Sequence, residues 1–328
     1  MKSFKPGPRG FDARSSRHGI AGLAFAALTS LALLSGCGGG TSQIEPFAPT
    51  RIISFGDESS LITSDGKKYT INGLSATTST LDCSLNPLWV QTLATHFGLV
   101  FRECNPNQIA TPTGLMYAMA GGKVADMKNK LDGHFAVSTF GPKDMVTVMV
   151  GANDILELYA AYPAQNKASL LDEVRARGRL LADQVNRIAN ANGRVVLSTV
   201  LDQGQTPFAL KERASKGDID RAAFLTELTR EFNLEMRVTI LNDGRKIGLV
   251  LADESLETVV KYPSSFGFSN VVDAACLTTV AIENCTTATL IADSSATGWL
   301  WASDTLMSPG GQSQLANIAL RRATNNPF

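Results

Sequence analysis

Short apolar runs alternate along this chain with longer segments in which apolar residues recur every three or four positions. The runs at 51–55, 145–150, 195–200 and 247–251 have the length of strands. The second is almost wholly apolar, as a strand buried on both faces requires. Helical spacing occupies 87–97, 123–131 and 169–191. In the last of these, Leu170, Val174, Leu181, Val185 and Ile188 fall on one stripe, and Gly193 stands where a helix would stop. Asp218 is placed to cap a further helix that carries Phe224, Leu225, Leu228 and Phe232 on one face. A closing helix is predicted over 309–323. Strands separated by helices predict a parallel sheet covered on both faces, a three-layer α/β/α sandwich. Residues 51–328 show no internal linker, repeat or low-complexity stretch, so one domain is expected there.

The first 36 residues do not share this pattern. Lys2, Lys5, Arg9, Arg14 and Arg17 make a basic start, and residues 20–34 form an uncharged, mostly apolar run of fifteen. A bilayer span needs about 20 residues, so the run has the length of a signal peptide. It ends in Leu34-Ser35-Gly36-Cys37, which resembles a bacterial lipobox. The resemblance implies a lipoprotein signal over 1–36, cleavage before Cys37 and lipid on that cysteine; an ordinary secretory signal with an incidental cysteine is the alternative. Residues 37–50, with three consecutive glycines at 38–40, read as a flexible tether. The expected location is a bacterial cell envelope, lipid-anchored at the outer membrane on its periplasmic or surface side.

Export changes how the charge and the cysteines are read. Taking the five basic residues and one acidic residue of 1–36 from totals of 30 and 30 leaves a formal charge of −4 on the mature chain. No basic run accompanies it, so neither nucleic acid nor a polybasic membrane patch is indicated, and the membrane enters as a partner only through the lipid. Apart from Cys37 there are four cysteines, an even number in an oxidising compartment. Of three possible pairings, Cys83–Cys104 with Cys276–Cys285 is preferred, because each closes a short loop within one connecting region. No C-x-x-C spacing or histidine cluster suggests a metal, and nothing calls for a cofactor. A monomer is expected.

Five blocks bear on chemistry. Phe55-Gly56-Asp57-Glu58-Ser59-Ser60 follows the first strand, and Gly151-Ala152-Asn153-Asp154 follows the second. Between them stands 116–124, and late in the chain come 263–271 and 301–309 (Trp-Ala-Ser-Asp-Thr-Leu-Met-Ser-Pro). In this order they resemble the GDSL/SGNH esterase and lipase family, in its lipase and autotransporter-esterase branch, over roughly 51–323. The resemblance implies that family's flavodoxin-like α/β/α fold with a central parallel sheet, and an acyl or carbohydrate ester as ligand. It also implies a serine nucleophile after the first strand, a histidine base oriented by an aspartate near the C-terminus, and oxyanion donors from the serine amide, a glycine and the block-three asparagine.

Laid on that pattern without gaps, the serine falls on Glu58, the aspartate on Ser303 and the histidine on Leu306, while Asn153 is retained. The donor glycine falls on Ala120 or Gly121. A carboxylate does not replace an activated serine, and leucine has no proton to exchange. The chain therefore reads as a degenerate esterase with a ligand-binding or envelope role, and Glu58 is expected at the sheet edge near Asn153 and the Gly121 backbone. The alternative is an active ester hydrolase with rearranged residues and Ser59 or Ser60 as nucleophile. Of the remaining histidines, His134 is expected in a surface loop after the helix at 123–131, and His96 on a helix face with its ring at the surface.

Overall fold

The two faces of each strand decide the layers. β1 (Arg51–Gly56), β2 (Gly114–Met116), β3 (Asp144–Met149), β4 (Arg194–Ser198) and β5 (Ile247–Val250) form a five-stranded sheet in the order β2-β1-β3-β4-β5, with every neighbouring pair parallel. These belong to a computed structural model that describes residues 45–328; the signal expected over 1–36, Cys37 and the start of the expected tether, 38–44, lie outside the described residues. Residues 46–328 form one compact unit.

Eight helices are described: α1 (Trp89–His96), α2 (Val124–Val137), α3 (Ala152–Ala160), α4 (Lys167–Asn190), α5 (Pro207–Ser215), α6 (Arg221–Thr239), α7 (Ala252–Lys261) and α8 (Pro309–Asn325). Ile53, Phe55, Val146, Val148, Val195 and Leu197 point to one side, into a core shared with α2, α3, α4 and α6. Their neighbours Ile52, Met145, Met149 and Val196 point to the other, against α1, α7 and α8. Alternation by two along strands apolar on both sides gives the three-layer α/β/α sandwich its two cores. A parallel sheet in this order reverses its winding between β1 and β3, and the crevice outside their carboxyl ends is where such sheets bind ligands. Register sets Gly56 opposite Met149 at that point.

Several boundaries differ from the sequence reading, each for a local reason. Helix α4 ends in a Schellman turn in which Asn192 takes the left-handed conformation (φ 71°) and Gly193 N–H reaches back to Ile188 O at 3.1 Å. The stop is thus Asn192, with Gly193 one place beyond. The cap of α6 is Asp220, which accepts from Ala223 N at 2.9 Å, and Asp218 pairs instead with Arg221. Helix α2 continues six residues past 131, so His134 sits in its last turn rather than in a loop. Its ring is 1 % exposed, packed on Phe140 at 4.6 Å, with Nδ1 against the Tyr117 hydroxyl at 3.1 Å. His96 is exposed on α1. Helices α3, α5 and α7 were absent from the sequence reading, as were the short β2 and a separate parallel pair, β6 (Asn270–Ala274) with β7 (Trp299–Trp301).

The cysteines are joined as Cys83–Cys104 and Cys276–Cys285, with Cα atoms 5.7 and 6.1 Å apart. Beside the first bridge lies Lys68, whose side chain is fully buried. Its ammonium donates to the carbonyls of Cys83 (3.0 Å), Leu85 (2.5 Å) and Asn86 (2.8 Å), one acceptor for each N–H. Burial pushes this lysine down to about 8. Among the described residues no helix is long and apolar enough to cross a membrane.

Candidate active site

The carboxyl end of β1 runs straight into a tight turn. Asp57, 2 % exposed, accepts from Ser59 N at 2.9 Å through Oδ1 and so caps a single turn of 3-10 helix over Glu58–Ser60. That turn lifts Glu58 over the ends of β1 and β3. Its Oε2 accepts from Gly121 N at 2.9 Å and from Asn153 Nδ2 at 3.0 Å. Gly121, in the loop after β2, holds φ 67°, a backbone state that favours glycine and turns its N–H toward the carboxylate. The donor in that loop is therefore Gly121 and not Ala120.

Asn153 is set by the loop after β3. Gly151 holds φ 131°, and a Cβ there would come within 2.5 Å of Phe232 and 2.8 Å of Val200. Only glycine fits, and helix α3 starts at the next residue. Asn153 and Asp154 in the first turn of α3 have separate tasks. Asn153 also donates to Gly122 O at 3.2 Å, which fixes its amide. Asp154 turns inward and accepts from Val124 N, the first residue of α2, at 2.9 Å. Burial raises the Asp154 carboxyl above its ordinary value, and Arg177 at 3.4 Å opposes that. Asp57 is pushed up to about 8, chiefly by burial and then by the charge on Glu58.

The two serines after Glu58 differ in what they face. Ser60 is fully buried and its Oγ accepts from the Trp89 indole at 3.1 Å. Ser59, 8 % exposed, touches the pocket, while its carbonyl accepts from Gln312 Nε2 at 3.2 Å. On the facing loop, Ser303 Oγ accepts from Leu306 N at 3.2 Å and thus closes its own turn. Thr305 and Leu306, rather than Ser303, line the pocket. Asp304 pairs with Lys211 at 2.6 Å on the surface.

The pocket so formed is lined by the polar Glu58 and Asn153 together with the apolar Met149, Leu156, Val200, Leu201 and Leu306. Neither His96 nor His134 lines it. The resemblance blocks thus bring Glu58, Ser59, Asn153 and Leu306 together, with Gly121 behind Glu58 and Ser303 set back in its loop. Sequence reasoning missed Gln203, which lines the pocket just past β4, and the wall residues Val200 and Leu201. Their signal was position alone: they follow a strand's carboxyl end, where α/β sheets place their sites. Among the described residues no group of three or more His, Cys, Asp or Glu could hold a metal ion.

A family model described as GDSL-like lipase/acylhydrolase matches residues 52–298. Among curated proteins no match was found. Similar solved structures include a member of the lipolytic protein G-D-S-L family from Veillonella parvula, 12 % identical, with 83 % of this chain and 96 % of that one covered and a TM-score of 0.43. An acetylxylan esterase from Geobacillus stearothermophilus is 16 % identical over 84 % of this chain and 96 % of its own, with a TM-score of 0.43. A lipase from a goat rumen metagenome is 13 % identical over 83 % and 96 %, with a TM-score of 0.46.

Proposed function

Because the chain belongs to the GDSL-like lipase/acylhydrolase family, we propose that it is an esterase-like member whose cleft binds a ligand without hydrolysing it, tethered to a bacterial envelope by lipid on Cys37. The observation that carries this reading is the Glu58 carboxylate on Gly121 N and Asn153 Nδ2. Ester hydrolysis by a serine enzyme needs three things together: a nucleophilic oxygen, a base to take its proton, and free donors aimed at the developing oxyanion. Here the two donors are already spent on a carboxylate that an ester carbonyl would have to displace. Leu306, which lines the same pocket, can neither accept nor return a proton. Ser59 is the one hydroxyl of the first block that meets the pocket, and neither described histidine lines the pocket to serve as its base.

Turnover of short- and long-chain acyl esters by the purified protein tests the reading. The expected rate is that of a cleft without its triad, about 10⁶-fold below an intact one, and Ser59→Ala or Ser60→Ala should leave any trace unchanged. A robust rate abolished by Ser59→Ala would instead establish an active hydrolase with rearranged residues.

A further inference from the structure

Four of the five strands start at a basic residue. Arg51 opens β1, Lys143 precedes β3, Arg194 opens β4, and Arg245 and Lys246 precede β5. Parallel register brings these starts to one end of the sheet: Arg51 stands opposite Asp144, Met145 opposite Arg194, and Val195 N donates to Lys246 O at 2.8 Å. The residues are widely separated in the sequence, where they form no basic run; only the fold gathers them. Asp144 answers Arg51 at 2.6 Å and Asp243 answers Arg245 at 3.4 Å. Lys143, Arg194 and Lys246 pair with no acid among the described residues, and the Arg194 guanidinium reaches the carbonyl of Asn192 at 3.1 Å. The carboxylate terminus, Phe328, lies at the same end and takes back one charge. This end keeps an excess of positive charge, whereas the expected mature chain as a whole is formally −4.

Two further features belong to this end. The helices that lead into β3 and β5 finish in exposed apolar residues, Val137 (83 % exposed) at the end of α2 and Val238 (68 %) in the last turn of α6. The chain also enters its compact unit here. Phe47 packs on Phe97, which closes α1, and on Phe328, while Thr50 N donates to Lys143 O at 2.9 Å. We infer that the amino end of the sheet rests on a membrane surface of anionic phospholipid, a step that depends on the lipid tether proposed above. Nine residues separate Cys37 from Pro46, so an anchored chain keeps this end within about 30 Å of the bilayer. At that surface each cation is worth about fivefold in partition, and exposed valines bury among the headgroups. DNA or an acidic protein would meet the charges but would gain nothing from the valines or from the tether's point of entry. β1 and β3 have six residues each, about 20 Å of strand. The pocket lies past their far ends, so this docking leaves it open to water.

The test uses the full chain bearing Cys37→Ser, which carries no lipid, with vesicles of phosphatidylcholine alone or mixed with phosphatidylglycerol. Lysines are acetylated with a water-soluble reagent and read by mass spectrometry. On the anionic vesicles Lys143 and Lys246 should react at least about fivefold more slowly than on the neutral ones. Lys211, paired with Asp304 beside the pocket, should react at the same rate on both. Molar salt, with a Debye length of about 3 Å, should abolish the protection. Lys143→Gln with Lys246→Gln should weaken partition onto anionic vesicles by at least about tenfold, and the lysine footprint stands without that variant should it fail to fold. Equal protection of Lys143 and Lys211, the same protection on neutral vesicles, or protection by a DNA duplex and not by vesicles would overturn the inference. Because this chain has no lipid, such an outcome leaves the anchor untouched, and failure of the anchor is read separately from the membrane fraction of the parent protein in cells.

Discussion

In the reading proposed above, Glu58 and Leu306 stand at positions whose usual residues work only as a pair, and this makes their separate replacement informative. Glu58→Ser alone should free the Gly121 and Asn153 donors yet leave no base, so ester turnover should stay near background. Adding Leu306→His supplies the base on the loop that faces it. The double variant should exceed Glu58→Ser by about 10²-fold, the lower end of what general base catalysis contributes, when assayed on a short acyl ester. Equal rates would mean that the loop does not bring residue 306 within reach. The neighbouring Asp57 makes a claim about stability. Unfolded, its carboxyl loses a proton near the ordinary 3.8; folded, it holds it to about 8, because burial and then Glu58 disfavour the charge. Between those values the folded state carries the extra proton. Its contribution is therefore fully present below 3.8 and is lost as pH rises toward about 8. Asp57→Asn has no proton to lose. Its unfolding free energy in urea denaturation should gain on the parent as pH goes from 4.5 to 8, by an amount on the order of a few kcal/mol at the upper end. A constant difference across that range would show that Asp57 does not titrate as described.

Elements were legible in proportion to their burial and length. The apolar run of β3 and the stripe of α4 are visible because one period persists over many residues. β2 spans three residues and β6 buries only one of its five, so neither leaves a period to read. Helix α3 hid behind Gly151-Ala152-Asn153-Asp154, which reads as a loop motif although it is the first turn of a helix. Of the site, the block residues were legible because their order is specific, whereas Gln203 was not, since its role comes from sheet order. His134 was misplaced because Gly133 looks like a stop; in α2 that glycine lies within the helix and a Cβ there would meet nothing within 4 Å. Gly151 is the opposite case. Gly151→Ala would force a left-handed backbone state and press on Phe232 and Val200. A loss of about 2–4 kcal/mol in urea denaturation is expected, from strain and overpacking together, and the Asn153 amide signal should move with it. A neutral outcome would mean that β3 and α3 can shift without disturbing the pocket.

At the scale of the whole molecule, two cores on a parallel sheet leave the pocket at one end, and in the sequence Cys37 stands nine residues before Pro46, where the compact unit begins. The apolar run at 20–34 and its lipobox-like end at Cys37 motivate one experiment. Cys37→Ser should shift the protein from the membrane to the soluble fraction or stall it as precursor, and an unchanged membrane fraction would count against the lipid anchor.

The buried Lys68 has a consequence for how the molecule meets a change in redox state. The segment from 83 to 104, which contains α1 and the Trp89 that braces Ser60, is closed by a bond that a reductant can cut, and its first residues, 83–86, are pinned to Lys68 by a cation that no reductant touches. That second anchor is blind to thiols. Reduction of Cys83–Cys104 should therefore leave the Trp89 environment native at moderate temperature, as seen in its fluorescence, while Lys68→Met should disturb it even with the bridge intact, at a cost of about 2–3 kcal/mol for the carbonyls left unpaired. If the reduced protein loses the Trp89 signal as readily as the lysine variant does, the cation holds nothing that the bridge does not.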